Sequence, residues 1–309
     1  MSAGWSAAVV RGRGLCRRRL GYAGAVRLAS CTTLADALDS LAPTAYGREL
    51  REGMDLAAAQ RAVSATVLWH MRVLAGWGPP LGARPLRLLA GEFEVANITF
   101  HLARLNGNAV PAPFALGSLA LSWPSISSAQ SAGELRRALA ASPWGDPGTE
   151  DLGSVRLALE FAWARLVLEG ATEAGDWAVA RAAVALAKVL ANGALAALGP
   201  PARRDATRVL GSRWQRASSP GDLARNVPRA AARVLEGVSG PEDLWRAEAR
   251  QWRLLESSAL TLIARTPPGA AGPIGVAGAL AADAWRTRLA LAIAATGGGE
   301  LSEVVDAAA

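Results

Sequence analysis

The chain is nearly without lysine: of 33 basic residues among 309, only Lys188 is not arginine. Histidine, cysteine and tyrosine occur twice each, and no acidic residue precedes Asp36. Each scarcity excludes something. Cys16 and Cys31 are too few for a disulfide framework and lack zinc-ligand spacing, which fits a reducing cytoplasm. His70 and His101 have no second His or Cys three or four residues away, so no metal site is expected. No G-x-x-x-x-G-K-[ST] string is present, and a single lysine leaves little for a phosphate-cradling loop. There is no G-x-S-x-G elbow. GPIGVAG, 272–278, follows no strand pattern and has the wrong spacing for a dinucleotide loop. No apolar run of about 18 residues is free of charge, so no membrane span is expected.

What the chain does contain favours helix. Alanine and leucine outnumber the β-branched residues, and unbranched side chains lose least freedom on forming a helix. Hydrophobic residues make up 51%, enough for a sizeable core. Apolar stripes of helical period run through Leu56, Val63, Val67, Met71 and Leu74, and through Leu89, Phe93, Ala96 and Phe100. Similar stripes pass through Val155, Leu159, Ala162 and Leu166, and through Leu244, Leu255, Ala259 and Leu262. Breaks rich in Pro and Gly fall at 76–85, 106–130, 142–149, 199–202, 218–228 and 266–273. An all-α fold follows, with only 109–123 open to extended chain. Glu92 with Glu94, and Glu150 with Asp151, read as carboxylates placed near helix starts by the dipole. Asn97 and His101 share a helix face and read as polar groups in a bundle interface.

The net charge of +7 and isoelectric point near 10.7 permit nucleic acid, acidic proteins or an anionic membrane face as partners. Arg11, Arg13, Arg17, Arg18, Arg19 and Arg27 crowd the acid-free start. They read as the exposed face of a first helix rather than a transit peptide, and no apolar signal segment follows.

The chain repeats itself. TLADALDSLAPTAYG, 33–47, lies over SAGELRRALAASPWG, 131–145, at an offset of 98 (131 − 33). Thr33 meets Ser131, Asp36 meets Glu134, Tyr46 meets Trp144, and Gly47 meets Gly145. Ser219, Asp222 and Val227 start a thinner third copy. A hydroxyl followed three residues later by an acid is a capping box. The Gly closing each unit is expected to take the left-handed conformation. Closing segments match too: EFEVANITFHLARLNG, 92–107, lies over DWAVARAAVALAKVLANG, 176–193, at an offset of 84 (176 − 92), pairing Glu92 with Asp176 and Phe93 with Trp177. AADAWRTRLALAIAATGGG, 281–299, is a third. Three helical modules are expected, 1–108, 109–199 and 200–309.

These segments, in this order, resemble the C subunit of archaeal-type and bacterial V-type ATPases, subunit d of the eukaryotic enzyme. VVRGRGLCRRRLG, 9–21, is similar to the family's arginine-bearing first helix. LAPTAYGREL, 41–50, matches its L-x-x-T-x-Y-G-x-x-L. EFEVANITFHLARLNG is similar to its WEVENIKTLLRAKLNG, and 271–299 to its C-terminal segment. Where the family has Glu-Ile-Arg-Asn, this chain has Trp285-Arg286-Thr287-Arg288, without acid or amide.

The resemblance implies three helical bundles forming a funnel-like body with no catalytic step, cofactor or metal. It implies rotor shaft subunits at one end and the membrane proteolipid ring at the other, contact with the membrane surface being indirect. The place would be cytoplasmic, peripheral to the membrane, and no nucleic acid would be bound. Tyr46, Gly47, Glu94, Asn97, Trp144, Asp176 and Trp177 would be structural motif residues. Arg11, Arg13, Arg17, Arg18 and Arg19 would face the ring or lipid. The alternative is a basic all-helical nucleic-acid-binding or scaffold protein, against which the arginines are scattered and no helix-turn-helix pattern appears.

Overall fold

The computed structural model describes residues 3–78, 82–265 and 269–301. Residues 79–81 of the expected break at 76–85 and residues 266–268 of that at 266–273 lie outside them. Among the described residues the protein is all-helical, with no strand. The first helices are α1 (Ala3–Arg17), α2 (Gly21–Ala29), α3 (Leu34–Leu41), α4 (Leu56–Trp77) and α5 (Ala83–Leu105). Then come α6 (Trp123–Ile126), α7 (Ala132–Ala140), α8 (Leu152–Gly170), α9 (Gly175–Ala191) and α10 (Pro200–Leu210). The last are α11 (Pro220–Arg225), α12 (Arg229–Val234), α13 (Leu244–Arg265) and α14 (Ala271–Ala295).

The helices start where short polar residues can cap them. Thr33, Asp55, Ser131, Asp151 and Ser219 each accept a bond from the amide three residues on. The acid half of the capping box differs from the expectation. Glu134 and Asp222 reach past the cap to the amides of Gln130 and Ser218, while Asp36 accepts from the Thr33 hydroxyl. The three closing helices end alike, with Gly107, Gly193 and Gly297 at positive φ. In each, the next residue's amide bonds back five positions: Asn108 to Ala103, Ala194 to Val189 and Gly298 to Ile293. This is the Schellman exit that Asn-Gly and Gly-Gly predict.

Packing divides the chain into two compact units, residues 1–86 with 252–309, and residues 87–251. In unit 1, α14 is the centre and packs against α1, α2, α3 and α4. Small residues let the backbones approach: a Cβ on Gly12 would lie 2.7 Å from Val276, and one on Gly275 would lie 2.7 Å from the Ala259 carbonyl oxygen. In unit 2, α9 is the centre and packs against α8, α10, α11 and α12. No described helix is long and apolar enough to cross a membrane.

Candidate functional site

Both units contain the same buried anchor, built from the repeated segment and a carboxylate on a closing helix. In unit 2 the Ser142 hydroxyl donates to the Leu139 carbonyl (2.7 Å) and accepts from the Trp144 amide (3.2 Å). This turns the chain so that Trp144, 3% exposed, points inward. Its indole N–H donates to Glu94 Oε1 at 2.9 Å. Glu94 also accepts from the Ser122 amide at 2.8 Å and the Leu121 amide at 2.6 Å. In unit 1 the Thr44 hydroxyl donates to Leu41 (2.6 Å) and accepts from the Tyr46 amide (3.2 Å). The Tyr46 hydroxyl donates to Asp283 Oδ2 at 2.8 Å. Asp283 accepts from two successive amides as well, Leu20 at 3.0 Å and Gly21 at 2.8 Å.

The third copy has the cap but neither anchor group. The positions matching Tyr46 and Glu94 hold Ala232 (46 + 186) and Ala178 (94 + 84), on α12 and α9, which pack together. Aromatic donor and carboxylate are thus present together or absent together. Joint presence or absence is favoured, because a buried donor or acceptor left unsatisfied costs about 1–3 kcal/mol. Each anchor joins segments that sequence repetition assigns to different copies. Glu94 closes the first copy and holds the aromatic of the second.

The two carboxylates differ in their electrostatics. Glu94 is 0% exposed, and burial raises its pKa, opposed by its bonds from Trp144, Leu121, Ser122 and Trp123. Asp283 has a cation nearby: Arg286 lies 3.8 Å away and pairs with Glu256, which pairs in turn with Arg19 at 3.3 Å. Burial and the Asp283 charge raise the Tyr46 pKa, so the phenol stays a donor.

The rest of the α5 face holds the irregular segment that follows it. Asn97 bonds both ways to Phe114, accepting from its amide (2.6 Å) and donating to its carbonyl (2.9 Å). His101 Nε2 lies 3.0 Å from the Ala129 carbonyl, and Arg104 donates to Nδ1 at 2.8 Å. An arginine can only donate, so Nε2 carries the ring proton. Burial lowers the His101 pKa. Asn97 and His101 hold the irregular segment after α5 rather than a second helix of a bundle. Glu94 is not near a helix start: α5 begins at Ala83, and the dipole account of Glu92 and Glu94 is replaced by specific bonds. Glu92 pairs with Arg181 at 2.7 Å. Its sequence counterpart Asp176 is exposed in the first turn of α9. Trp177 is buried, with no partner for its indole N–H among the described residues.

The paired glycines serve different needs. Gly145 has φ +79° and is left-handed as expected. Gly47 is not at positive φ; a Cβ there would lie 1.9 Å from the Ala42 carbonyl oxygen. Only glycine fits that close approach.

The N-terminal arginines separate. Arg11, Arg13, Arg17 and Arg18 are exposed, Arg11 lying 3.5 Å over the Trp77 ring. Arg19 turns inward to Glu256 and the Cys16 carbonyl and leaves that face. Asp283, the acid at the start of the third closing segment, has no role in the sequence reading; it stands two residues before Trp285, between the small residues Ala282 and Ala284. An acid inside a run of buried alanines, with a buried Tyr in need of an acceptor, is the signal that would have found it. Among the described residues no group of three or more metal-ligating side chains comes together.

No protein-family model matches this chain, and no curated protein matches it.

Proposed function

We propose that this chain is a non-catalytic central-stalk adaptor of a V/A-type rotary ATPase, coupling the rotor shaft to the membrane proteolipid ring during ion transport. One observation carries the reading. Of the seven motif residues, Asp176 and Trp177 take no part, while Tyr46, Gly47, Glu94, Asn97 and Trp144 build the buried anchors and tie α5 to its neighbours. They act as clamps, their polar atoms occupied by protein partners. Such a constellation suits a part that must be stiff under torque, since close-packed interiors transmit strain. Partners would be the shaft and the ring, and the protein would sit peripherally at the cytoplasmic side of the membrane. The exposed Arg11, Arg13, Arg17 and Arg18 supply positive charge that suits acidic ring loops or anionic head groups.

The test is coupling. Removing this protein from its host should leave ATP hydrolysis by the soluble head intact, abolish ATP-driven ion uptake by membrane vesicles, and restore it on re-addition. Uptake at the wild-type rate without the protein would reject the reading.

A further inference from the structure

Unit 1 carries a partly open cavity of about 290 Å³ beside the Tyr46 anchor. That volume is at the small end of ligand pockets, roughly 300–1,000 Å³. Arg18, Arg48, His70, Trp69, Val67 and Leu280 form the walls that matter. The Arg18 guanidinium has no hydrogen bond or ion pair among the described residues, its backbone amide donating to the Leu15 carbonyl. Arg48 bonds Glu49 at the rim and lies 4.2 Å over the Trp69 ring. Neither His70 nitrogen has a hydrogen-bond partner among the described residues, although the residue is 6% exposed. Asp283 also lines the cavity, but its charge is spent on two amides, Tyr46 and Arg286.

Unit 2 shows what the anchor alone requires. Helix α8 matches α4 at an offset of 96 (151 − 55), by their caps Asp55 and Asp151. Buried positions on the two helices coincide: Ala59 with Val155, Val63 with Leu159, and Met71 with Val167. In that register Trp163 stands for Val67 and Leu166 for His70. Trp163 and Trp144 both flank Gly91, within 3.0 and 3.2 Å of where its Cβ would be. Asp146, tied to Arg136, stands for Arg48 at the anchor's own offset of 98 (144 − 46). Leu119 stands for Arg18 at 101 (121 − 20), the offset of the amides that bond the two carboxylates. The second copy keeps the anchor with a tryptophan in place of Val67 and with neither of the two cations nor the imidazole at the matching positions. The anchor of unit 2 forms without these groups.

We propose that the unit 1 cavity binds a small organic anion, its carboxylate or phosphate group held by Arg18, Arg48 and a ring N–H of His70, its apolar body against Val67, Leu280 and Trp69. The site is electrically set for this. Burial, then Arg18, then Arg48 lower the His70 pKa to about 4. Arg18 and Arg19 face it from the turn after α1, Tyr46 and Arg48 from the turn after α3, and Asp283 from α14. An anion between the two arginines offsets their charge and raises that pKa.

With two histidines in the chain, ring C–H resonances of the full protein give the readout, and His101 in unit 2 is the internal control. The probes are benzoate and phenyl phosphate, with inorganic phosphate and chloride at matched ionic strength. The expected result is a saturable shift of the His70 signal and an upward move of its pKa by about one unit, a tenfold preference for the protonated ring. Either probe should bind at least about tenfold more tightly than inorganic phosphate, which lacks the apolar body, as burial of a few CH groups supplies that much. R18A or R48A should weaken binding about tenfold or more, as expected for a charge-assisted bond, and V67W, copying unit 2, should abolish it. R18A changes an exposed side chain and keeps the test valid should V67W fail to fold. No saturable His70 shift at millimolar probe, equal shifts at His70 and His101, or unchanged affinity in R18A and R48A would each overturn the proposal. Inorganic phosphate binding as tightly as benzoate and phenyl phosphate would overturn the apolar part of it.

Discussion

Removing the carboxylate of Glu94 tests the anchor most sharply. In Glu94→Ala, the Leu121 amide, the Ser122 amide and the Trp144 indole lose their shared acceptor. Each bond to a charged acceptor is worth about 1.5–3 kcal/mol, and an unsatisfied buried donor costs about 1–3 kcal/mol. Loss of the carboxylate also removes its own burial cost, which partly offsets the damage. The net expectation is destabilisation of about 3–5 kcal/mol. Glu94→Gln keeps the shape. Its carbonyl at the Oε1 position can serve Ser122 and Trp144, but its amide then faces the Leu121 N–H, donor against donor. About 1–2 kcal/mol is expected. Trp144→Phe removes one donor and should cost a similar amount, and the two changes should couple by about 0.5–3 kcal/mol in a double-mutant cycle. The assay is urea unfolding by far-UV circular dichroism, comparing midpoints at unchanged slope. A midpoint for Glu94→Ala equivalent to less than about 0.5 kcal/mol of loss, the range of ordinary surface changes, would refute the reasoning.

Further outcomes follow from the same geometry. The Glu94 pKa is raised in the folded state, so its folded form holds a proton more readily than its unfolded form. Its contribution is greatest at low pH and is lost as pH rises from the unfolded value through the folded one; the wild-type-minus-Glu94→Gln stability difference should follow that slope, and a flat difference would contradict it. Gly47→Ala should cost about 1–3 kcal/mol or more by overpacking against the Ala42 carbonyl. Gly145→Ala should cost about 1–2 kcal/mol through its left-handed backbone alone, and thermal melts of the pair check both. Arg17→Ala with Arg18→Ala should weaken ring attachment most visibly at moderate salt, where the Debye length is about 8 Å. Arg19→Ala should instead lower the melting temperature, because Arg19 pairs with Glu256.

Local chemistry was legible in the sequence and distant pairing was not. The caps at Thr33, Ser131 and Ser219 and the exits at Gly107, Gly193 and Gly297 need only neighbours within a turn, and each was readable from spacing. Tyr46 and Trp144 were recognised as matched anchors, but their acceptors lie 237 and 50 residues away. Nothing in a local pattern points across such separations. Pro85 reads as a break and puts Glu94 near a helix start, whereas a proline in the first turn of a helix is tolerated and α5 begins before it. Gly47 and Gly145 look equivalent in an alignment, yet one answers to a carbonyl oxygen and the other to a dihedral. The cavity beside Tyr46 is built from four separate segments, and only their packing creates it.

The adaptor reading rests on association, and one measurement addresses it directly. The tagged full-length protein is purified from mildly solubilised membranes of its host, and co-purifying subunits are identified and quantified by mass spectrometry. The account predicts rotor shaft and proteolipid ring subunits at fixed stoichiometry, with one copy of this chain per complex. Recovery of the protein with neither the shaft nor the ring, while the ATPase itself is intact in the same membranes, would contradict it.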